Sequence, residues 1–323
     1  MVAMVDNVIV LRIPVVKKRV SKASSKSSIG RIYLSKRWVE RDVAIMDWRD
    51  YEQLRNIFQN LFELKNIVEA LFNCKAVGKG MFNIVSRTWN PVTGCSHLCR
   101  YCWARRLAET RLKRSPRYRD GFIPKIHEQE FKATFKPGEF VFVSDMGDLF
   151  CEQVEDEWIL RVLDHIRKFP KTHFLLLTKN PRRYRDFLDR FPPNVILGAT
   201  IETNRDDLYR EHRISGAPLP SLRYKAMRDL KWSKKFVSVE PVLDFDLDVF
   251  AQWIEEIEPL IVYVGYDNYG NRLPEPPLRK TLALIERLSK LPCLVIRKTI
   301  RPAWFEGLSR YMGGELEERP GLA

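Results

Sequence analysis

Short apolar runs recur along the chain from residue 81 onward, and segments of helical pattern lie between them. Seven runs predict β-strands, at 81–86, 139–144, 172–178, 194–200, 235–240, 260–265 and 293–298. Apolar residues three and four positions apart predict helices at 155–168, 182–191, 247–257 and 277–291. Because continuous apolar strands that alternate with helices indicate a parallel sheet buried on both faces, we expect an α/β fold with a partial (βα)6 TIM-type barrel.

The first 80 residues follow a different pattern. Residues 7–16 predict a strand, the Ser/Lys-rich stretch at 17–28 predicts a basic loop, and alternation in 30–46 predicts a β-hairpin. Apolar residues at helical spacing in 50–74 predict a connecting helix. The expected domains are a basic β-hairpin segment at 1–48, a connecting helix and linker at 49–80, the barrel at 81–300 and a C-terminal tail at 301–323.

Polar residues follow the predicted strands, where the carboxyl ends of a parallel sheet meet. They are Ser144, Asp145, Gly147 and Asp148 after the second strand, Thr178 and Lys179 after the third, Thr200 and Glu202 after the fourth, Glu240 after the fifth and Asp267 after the sixth. Chemistry in barrels of this kind lies at that edge. The recurrence of polar residues therefore predicts one shared pocket.

Composition restricts the possible locations and partners. No apolar run approaches the roughly 20 residues that span a bilayer, and the N-terminus lacks the pattern of a signal peptide, so we expect a cytoplasmic protein without a membrane segment. The net charge of +14 is concentrated in residues 1–50, with eleven Lys and Arg against five acids, and in 100–120, with eight against two. Two interpretations stay open: a solvated basic surface, or a polyanionic partner such as nucleic acid.

Three of the six cysteines are clustered after the first predicted strand, as Cys95-x3-Cys99-x2-Cys102. A zinc site would need a fourth ligand, for which His97 is available within the loop. An iron–sulfur cube is the other possibility, because three thiolates can hold three irons and leave the fourth open. Cys74, Cys151 and Cys293 are interpreted as buried apolar residues, although Cys151 follows the second strand and is also a candidate hydrogen-atom donor.

These motifs resemble a known superfamily. The cysteine spacing, with Tyr101 before the last cysteine, is similar to the signature of radical S-adenosylmethionine (SAM) enzymes. Together with FVSDMGDLF at 142–150, LTKNP at 177–181 and VEP at 239–241, the opening WNPVTGC at 89–95 resembles a largely uncharacterised subfamily of phages, bacteria and archaea, the phage Gp37/Gp68-like proteins. This resemblance covers residues 82–299. Residues 30–45 resemble archaeal swapped-hairpin proteins related to AbrB, in which two chains form a DNA-binding barrel, but Ser35 stands where that family has proline.

The resemblance to radical SAM enzymes implies a 4Fe–4S cluster on Cys95, Cys99 and Cys102, with SAM chelated by the open iron. Reductive cleavage of SAM would give a 5′-deoxyadenosyl radical that takes a hydrogen atom from the substrate. Tyr101 would lie against the adenine. The methionine amino group would meet the segment Ser144, Asp145, Met146, Gly147 and Asp148, which departs from the family's Gly-Gly-Glu.

Further positions follow from the same resemblance. Thr178, Lys179, Thr200 and Glu202 would face the ribose and the carboxylate of SAM, although Lys179 could instead pair with an acid such as Asp148. Candidates for catalysis or substrate contact are Cys151, Glu240 and Asp267, the two acids being possible helix caps as well.

The substrate is expected from charge. Two basic clusters with interleaved aromatic residues favour nucleic acid, to be modified or repaired: Arg105, Arg106, Arg111, Lys113, Arg114, Arg117 and Arg119 with Tyr118, and Lys225, Arg228, Lys231, Lys234 and Lys235 with Tyr224 and Trp232. The alternatives are a protein or small-molecule substrate, or a DNA-binding iron–sulfur sensor without catalysis. Expected partners are a reductant such as ferredoxin or flavodoxin and a second copy of the chain, paired through the N-terminal hairpin.

Overall fold

The computed structural model of the chain describes residues 2–5, 8–11, 82 and 84–306. The chain divides into two compact units, 1–66 and 67–323. Strands β1 (Val2–Val5) and β2 (Val8–Leu11) of the first unit pair antiparallel, so the strand predicted at 7–16 is observed only over β2. The hairpin predicted at 30–46, the helix predicted at 50–74 and the stretch that resembles AbrB lie outside the described residues.

The second unit is built on a seven-stranded parallel sheet. Its strands are β3 (Arg87–Trp89), β6 (Phe140–Val143), β7 (His173–Thr178), β8 (Val195–Thr200), β9 (Lys235–Val239), β10 (Ile261–Val264) and β11 (Leu294–Arg297). The strands pair in chain order from β3 to β11, and every pairing is parallel. This sheet confirms the predicted α/β architecture and is consistent with a partial TIM-type barrel.

Helices connect the strands. They are α1 (Trp103–Glu109), α2 (Asp156–Arg167), α3 (Asp206–Glu211), α4 (Pro220–Arg228), α5 (Leu247–Ile257) and α6 (Leu278–Leu288), with 3-10 helices at Glu128–Lys132 and Pro181–Arg190. A two-stranded hairpin pairs β4 (Val92–Thr93) with β5 (Lys125–Ile126). The helices predicted at 155–168, 247–257 and 277–291 are confirmed within a few residues, whereas 182–191 forms the second 3-10 helix.

Alternate residues of each strand face opposite sides of the sheet, as the period of two requires. Val237 and Val239 of β9 belong to the core cluster formed with the outer helices. Phe236 points to the other face, where it contacts Tyr263 of β10 at a ring-centroid distance of 5.6 Å. The sheet therefore has a helix-covered face and an inner face lined by its own side chains.

The first predicted strand, at 81–86, is wrong: the first strand of the sheet is Arg87–Trp89. The apolar character upstream has another cause. Phe82 is fully buried, and its ring centroid lies 5.4 Å from that of Phe142, 5.3 Å from that of Phe236 and 4.6 Å from that of Tyr263. Phe82 thus fills the inner face of the sheet instead of extending it.

The described helices include none with the length and apolar content needed to cross a membrane.

Candidate functional site

The three clustered cysteines border one cavity of about 480 Å³ at the carboxyl ends of the strands. Twelve of the residues predicted for the site line it: Cys95, Cys99, Tyr101, Cys102, Asp145, Gly147, Asp148, Thr178, Lys179, Thr200, Glu240 and Asp267. This volume lies within the range of roughly 300–1,000 Å³ that is usual for ligand sites. The shared pocket predicted from the strand ends is therefore present.

Two glycines let the cysteine loop meet the loop that follows β6. Gly94 and Gly147 form a parallel β-bridge, and a Cβ on Gly147 would lie 2.7 Å from the carbonyl oxygen of Gly94. Gly94 has a φ of +86°, and a Cβ there would lie 2.0 Å from the carbonyl oxygen of Ile123. Only glycine permits so close an approach, because any side chain would overlap backbone atoms.

The segment between α3 and α4 holds the cysteine loop from the other side. The carbonyl oxygen of His97 accepts hydrogen bonds from Gly216 N at 2.7 Å and from Ser215 Oγ at 2.9 Å. The Sγ atom of Cys99 lies 3.1 Å from the same Ser215 Oγ. The loop conformation is thus fixed by contacts with the polypeptide itself.

Asp148 ties three parts of the site together. It accepts hydrogen bonds from Thr178 Oγ1 at 2.7 Å and from the backbone N of Lys179 at 2.9 Å, and it lies 3.0 Å from His97 Nε2. Burial acts to raise the pKa of this carboxyl, but the hydrogen bond and charge of His97 and the bond from Lys179 lower it below its ordinary value. Asp148 is thus a charged anchor whose oxygens are already bonded.

Tyr101 is fixed by a buried ion pair. Its hydroxyl donates to Glu202, which pairs with Arg223 at 2.6 Å, and neither partner of that ion pair is exposed. Burial, followed by the negative charge of Glu202, raises the pKa of Tyr101 well above its ordinary value, so the phenol stays protonated. Glu202 does not line the cavity and lies behind Tyr101.

Lys179 extends toward the same ring. Its Nζ lies 5.3 Å from the centroid of Tyr101, and no ion pair joins this ammonium group to another described side chain. The alternative pairing with Asp148 is made by the backbone N of Lys179 only. Burial acts to lower the pKa of Lys179, whereas the negative charges of Cys99 and Glu202 outweigh it, so the ammonium form is favoured. Lys179 is thus a cation available to an anionic ligand.

Cys95 and Cys151 are neighbours. Cys151 is fully buried and does not line the cavity. A hydrogen bond with Cys151, burial and the charge of Asp148 raise the pKa of the Cys95 thiol, and the same hydrogen bond lowers that of Cys151 to about 7. Cys102 caps α1, since its Sγ accepts from Arg105 N at 3.3 Å.

Two of the predicted acids are already engaged. Asp267 accepts hydrogen bonds from the backbone N of Asn271 at 2.7 Å and from its Nδ2 at 2.8 Å, so it stabilises the turn after β10. Glu240 pairs with Lys298 at 2.6 Å, and burial raises the pKa of Glu240. Both acids are almost fully buried, yet both border the cavity.

Ser144 and Met146 lie outside the cavity lining. Ser144 is buried with a φ of +57°, and its backbone N donates to the carbonyl oxygen of Trp89 at 2.7 Å. Met146 packs with α1 and Phe122. Asp145 does line the cavity and accepts from Asn90 Nδ2 at 2.6 Å, while burial raises its pKa.

The sequence patterns missed two charged residues of the site. Arg223 lies within α4, where no local signal separates it from the surface cations of that helix. Lys298 directly follows β11 and lines the cavity, so the rule that located the other strand-end residues also applied to it.

The two basic clusters lie at opposite edges of the sheet. Arg111, Lys113, Arg114 and Arg119 are exposed, make no ion pair with another described residue, and belong to the turn between α1 and Phe122, which both border the cavity. In the other cluster, Trp232 donates to the carbonyl oxygen of Val195 at the start of β8, and Lys235 begins β9. Only the first cluster is therefore near the cavity, because the cavity lies at the carboxyl ends of these parallel strands.

Comparisons with known proteins were made for the whole chain. Residues 81–262, more than half of the chain, match the family described as "Protein of unknown function (DUF5131)". No curated protein matches the sequence.

Similar solved structures include a variant of spore photoproduct lyase with bound AdoMet and dinucleoside spore photoproduct, with a TM-score of 0.43, 13% identity and coverage of 63% of this chain and 61% of that one. A second is spore photoproduct lyase complexed with dinucleoside spore photoproduct, with a TM-score of 0.42, 12% identity and coverage of 62% and 60%. The chain thus spans about three fifths of the length of these structures.

Proposed function

Because the chain belongs to the DUF5131 family of proteins of unknown function, its activity must be argued from its own site, and we propose that it is a radical SAM enzyme acting on nucleic acid. The observation that carries this proposal is that Cys95, Cys99 and Cys102, all from one loop, border the same cavity as the ends of four parallel strands. Three thiols with space beside them suit a 4Fe–4S cluster that leaves one iron open.

The other lining residues suit SAM. Lys179 would neutralise the carboxylate of SAM, and Tyr101, held in place by Glu202, would lie against the adenine. Thr178 and Thr200 would supply hydroxyls to the ribose. Such a cluster with SAM supplies one-electron chemistry, with the electron taken from a reductant such as ferredoxin or flavodoxin, while the protein binds, orients and excludes water.

The methionine amino group is assigned to Asp145. Of the five residues from 144 to 148, only Asp145, Gly147 and Asp148 line the cavity. The two oxygens of Asp148 already accept hydrogen bonds from Thr178 and Lys179, and glycine has no side chain. Asp145 keeps one oxygen on Asn90 and has a second with which to receive an ammonium group.

The first experiment tests the cluster. Anaerobic reconstitution with iron and sulfide should give a brown protein with about four irons per chain, and reduction with SAM present should yield 5′-deoxyadenosine and methionine. Cys99→Ala should lose most of the chromophore. Cys293→Ala is the matched control, because Cys293 does not line the cavity and should hold the cluster at the wild-type level. An intact cluster that never cleaves SAM would refute the enzyme.

A second candidate, a mononuclear zinc site, has one observation in its favour. The ligand atoms of Cys95, His97 and Asp148 lie within 4.8 Å of one another. Metal analysis of the protein as isolated under anaerobic conditions decides between the two. One zinc per chain, lost together in His97→Ala and Cys95→Ala, would replace the cluster, whereas iron with equimolar sulfide would eliminate zinc.

The SAM assignment has its own test. Lys179→Met should weaken SAM binding about tenfold or more, because it removes the cation that would face the carboxylate. Binding is measured by the change in the electron paramagnetic resonance spectrum of the reduced cluster as SAM is added. Lys171→Met is the matched control, since Lys171 is an exposed lysine before the other end of β7. Equal SAM affinity in both variants would contradict the role of Lys179.

The nucleic-acid part rests on the exposed cations beside the cavity. The pair Lys113→Gln and Arg114→Gln should weaken binding of a single-stranded oligonucleotide and reduce the salt dependence of log K by about 1.4, at about 0.7 per phosphate contact. Lys225→Gln with Lys231→Gln removes the same charge from exposed residues at the other edge of the sheet. If the two double variants lose affinity equally, charge alone and not this surface determines binding.

A further inference from the structure

The cavity holds a second polar group, distinct from the cysteines and from the residues assigned to SAM. Glu240 follows β9 and Lys298 follows β11, and both line the cavity. Their side chains form an ion pair of 2.6 Å, in which Glu240 Oε1 faces Lys298 Nζ. This pair therefore places a hydrogen-bond acceptor directly beside a donor.

The pair is incompletely bonded. Glu240 is only 8% exposed, and its second oxygen, Oε2, has no hydrogen-bond partner among the described residues. Ser238, two residues earlier on the same face of β9, has a buried hydroxyl that also lacks one there. Buried polar atoms nearly always find a partner, so an unsatisfied carboxylate oxygen in the wall of a cavity indicates a donor that arrives with a ligand.

We propose that Glu240 and Lys298 read the hydrogen-bonding edge of an unpaired nucleobase: Glu240 accepts from a ring N–H or amino group, and Lys298 donates to the neighbouring carbonyl oxygen or ring nitrogen. This inference rests on the proposed function and specifies its substrate. An ammonium group has three donors, so Lys298 can keep Glu240 and still donate to a base.

A consequence concerns the form of the nucleic acid. The edge of a base that carries adjacent donors and acceptors is the one used in Watson–Crick pairing, and it is not accessible within a duplex. A base can present that edge inside a cavity only from a single strand or after it has been flipped out of the helix. Tyr269, which is 51% exposed and also lines the cavity, offers an aromatic surface beside the entering base. The substrate is therefore expected to be a single-stranded or flipped-out nucleotide.

The test uses reconstituted holoprotein with SAM, kept anaerobic, and fluorescein-labelled pentanucleotides followed by anisotropy. Each of the four central bases is compared with a form methylated at its pairing edge, for example uridine with N3-methyluridine. For at least one base, methylation should weaken binding about tenfold or more, and a complementary strand should weaken it as well.

Variants then assign the effect to the pair. Glu240→Ala should bring the ratio between natural and methylated oligonucleotide close to one, whereas Glu240→Gln, which keeps an acceptor oxygen, should restore part of it. Glu275→Gln is the control, because Glu275 forms a buried pair of 2.7 Å with Arg301 but does not line the cavity. That variant should lower the melting temperature and leave the ratio unchanged.

Each other outcome overturns the inference. Ratios near one for all four bases, a ratio unchanged in Glu240→Ala, tighter binding of duplex, or no oligonucleotide binding at all would exclude base recognition by this pair. The amount of 5′-deoxyadenosine formed by the same preparation reports separately on the proposed enzyme. Loss of SAM cleavage without substrate in Glu240→Gln would place Glu240 with the cofactor and not with the base.

Discussion

Arg223 gives the sharpest prediction about what stabilises the site. Its guanidinium is fully buried and donates four hydrogen bonds, to Pro218 O at 2.6 Å, Thr200 O at 2.7 Å, Glu202 Oε2 at 2.6 Å and Tyr209 Oη at 2.6 Å. Arg223→Met keeps the volume and removes all four. It leaves the carboxylate of Glu202 in the interior with Tyr101 as its remaining donor.

The expected loss of stability follows from that uncompensated charge. Removing one partner of a buried ion pair costs about 3–5 kcal/mol. At about 2–4 °C per kcal/mol for a domain of this size, the melting temperature should fall by roughly 6–20 °C. Arg228→Met on the same helix is the control, because its surface pair with Asp229 should contribute no more than about 1 kcal/mol.

Thermal unfolding followed by circular dichroism measures both variants. A double variant that adds Glu202→Met should lose less than the sum of the two single variants, because the isolated charge is then absent. If Arg223→Met melts with Arg228→Met, or if the two buried changes are additive, the buried pair does not support the site as argued here.

Three further outcomes are expected. Gly147→Ala should cost about 1–3 kcal/mol and lower the iron content after reconstitution, because its Cβ would lie 2.7 Å from a backbone oxygen of Gly94; wild-type iron content would refute this. Phe82→Ala should cost about 3–5 kcal/mol in urea unfolding, since it empties the inner face of the sheet, and a loss below 1 kcal/mol would show that the face can collapse. Burial raises the pKa of Cys293 to about 12, so only about one thiol in ten thousand is a thiolate at pH 8. Iodoacetamide should therefore label Cys293 far more slowly in native than in unfolded protein at pH 8, and equal rates measured by mass spectrometry would contradict its buried state.

The parallel sheet and its active edge were predictable because both depend on local patterns. A strand buried on both faces must be continuously apolar, and polar residues can resume only where it ends, as at Thr178 and Thr200. The same rule placed the first strand wrongly, since Phe82 is apolar because it fills the inner face, a role that depends on residues distant in sequence.

Partners across the chain were not predictable from local pattern. Arg223 meets Glu202 from 21 positions away, and Ser215 meets Cys99 from 116. A charged residue on a helix is usually exposed, so nothing in the surrounding sequence marks Arg223 as buried. The charge clusters were separated for the same reason: composition counts cations, but only the direction of the strands assigns them to an edge.

The arrangement of the cysteine loop bears on how a cluster would be held. The loop is fixed by Gly94 against Gly147, by Ser215 against His97 and Cys99, and by Asp148 against His97, and none of these contacts requires a metal. A loop held in this way places its thiols before anything binds, so little ordering entropy remains to oppose binding. The same contacts leave Asp148 satisfied and Glu240 unsatisfied, although both are buried acids at strand ends. The difference in hydrogen bonding, and not in residue type, separates the acid that builds the site from the acid that is available to a substrate.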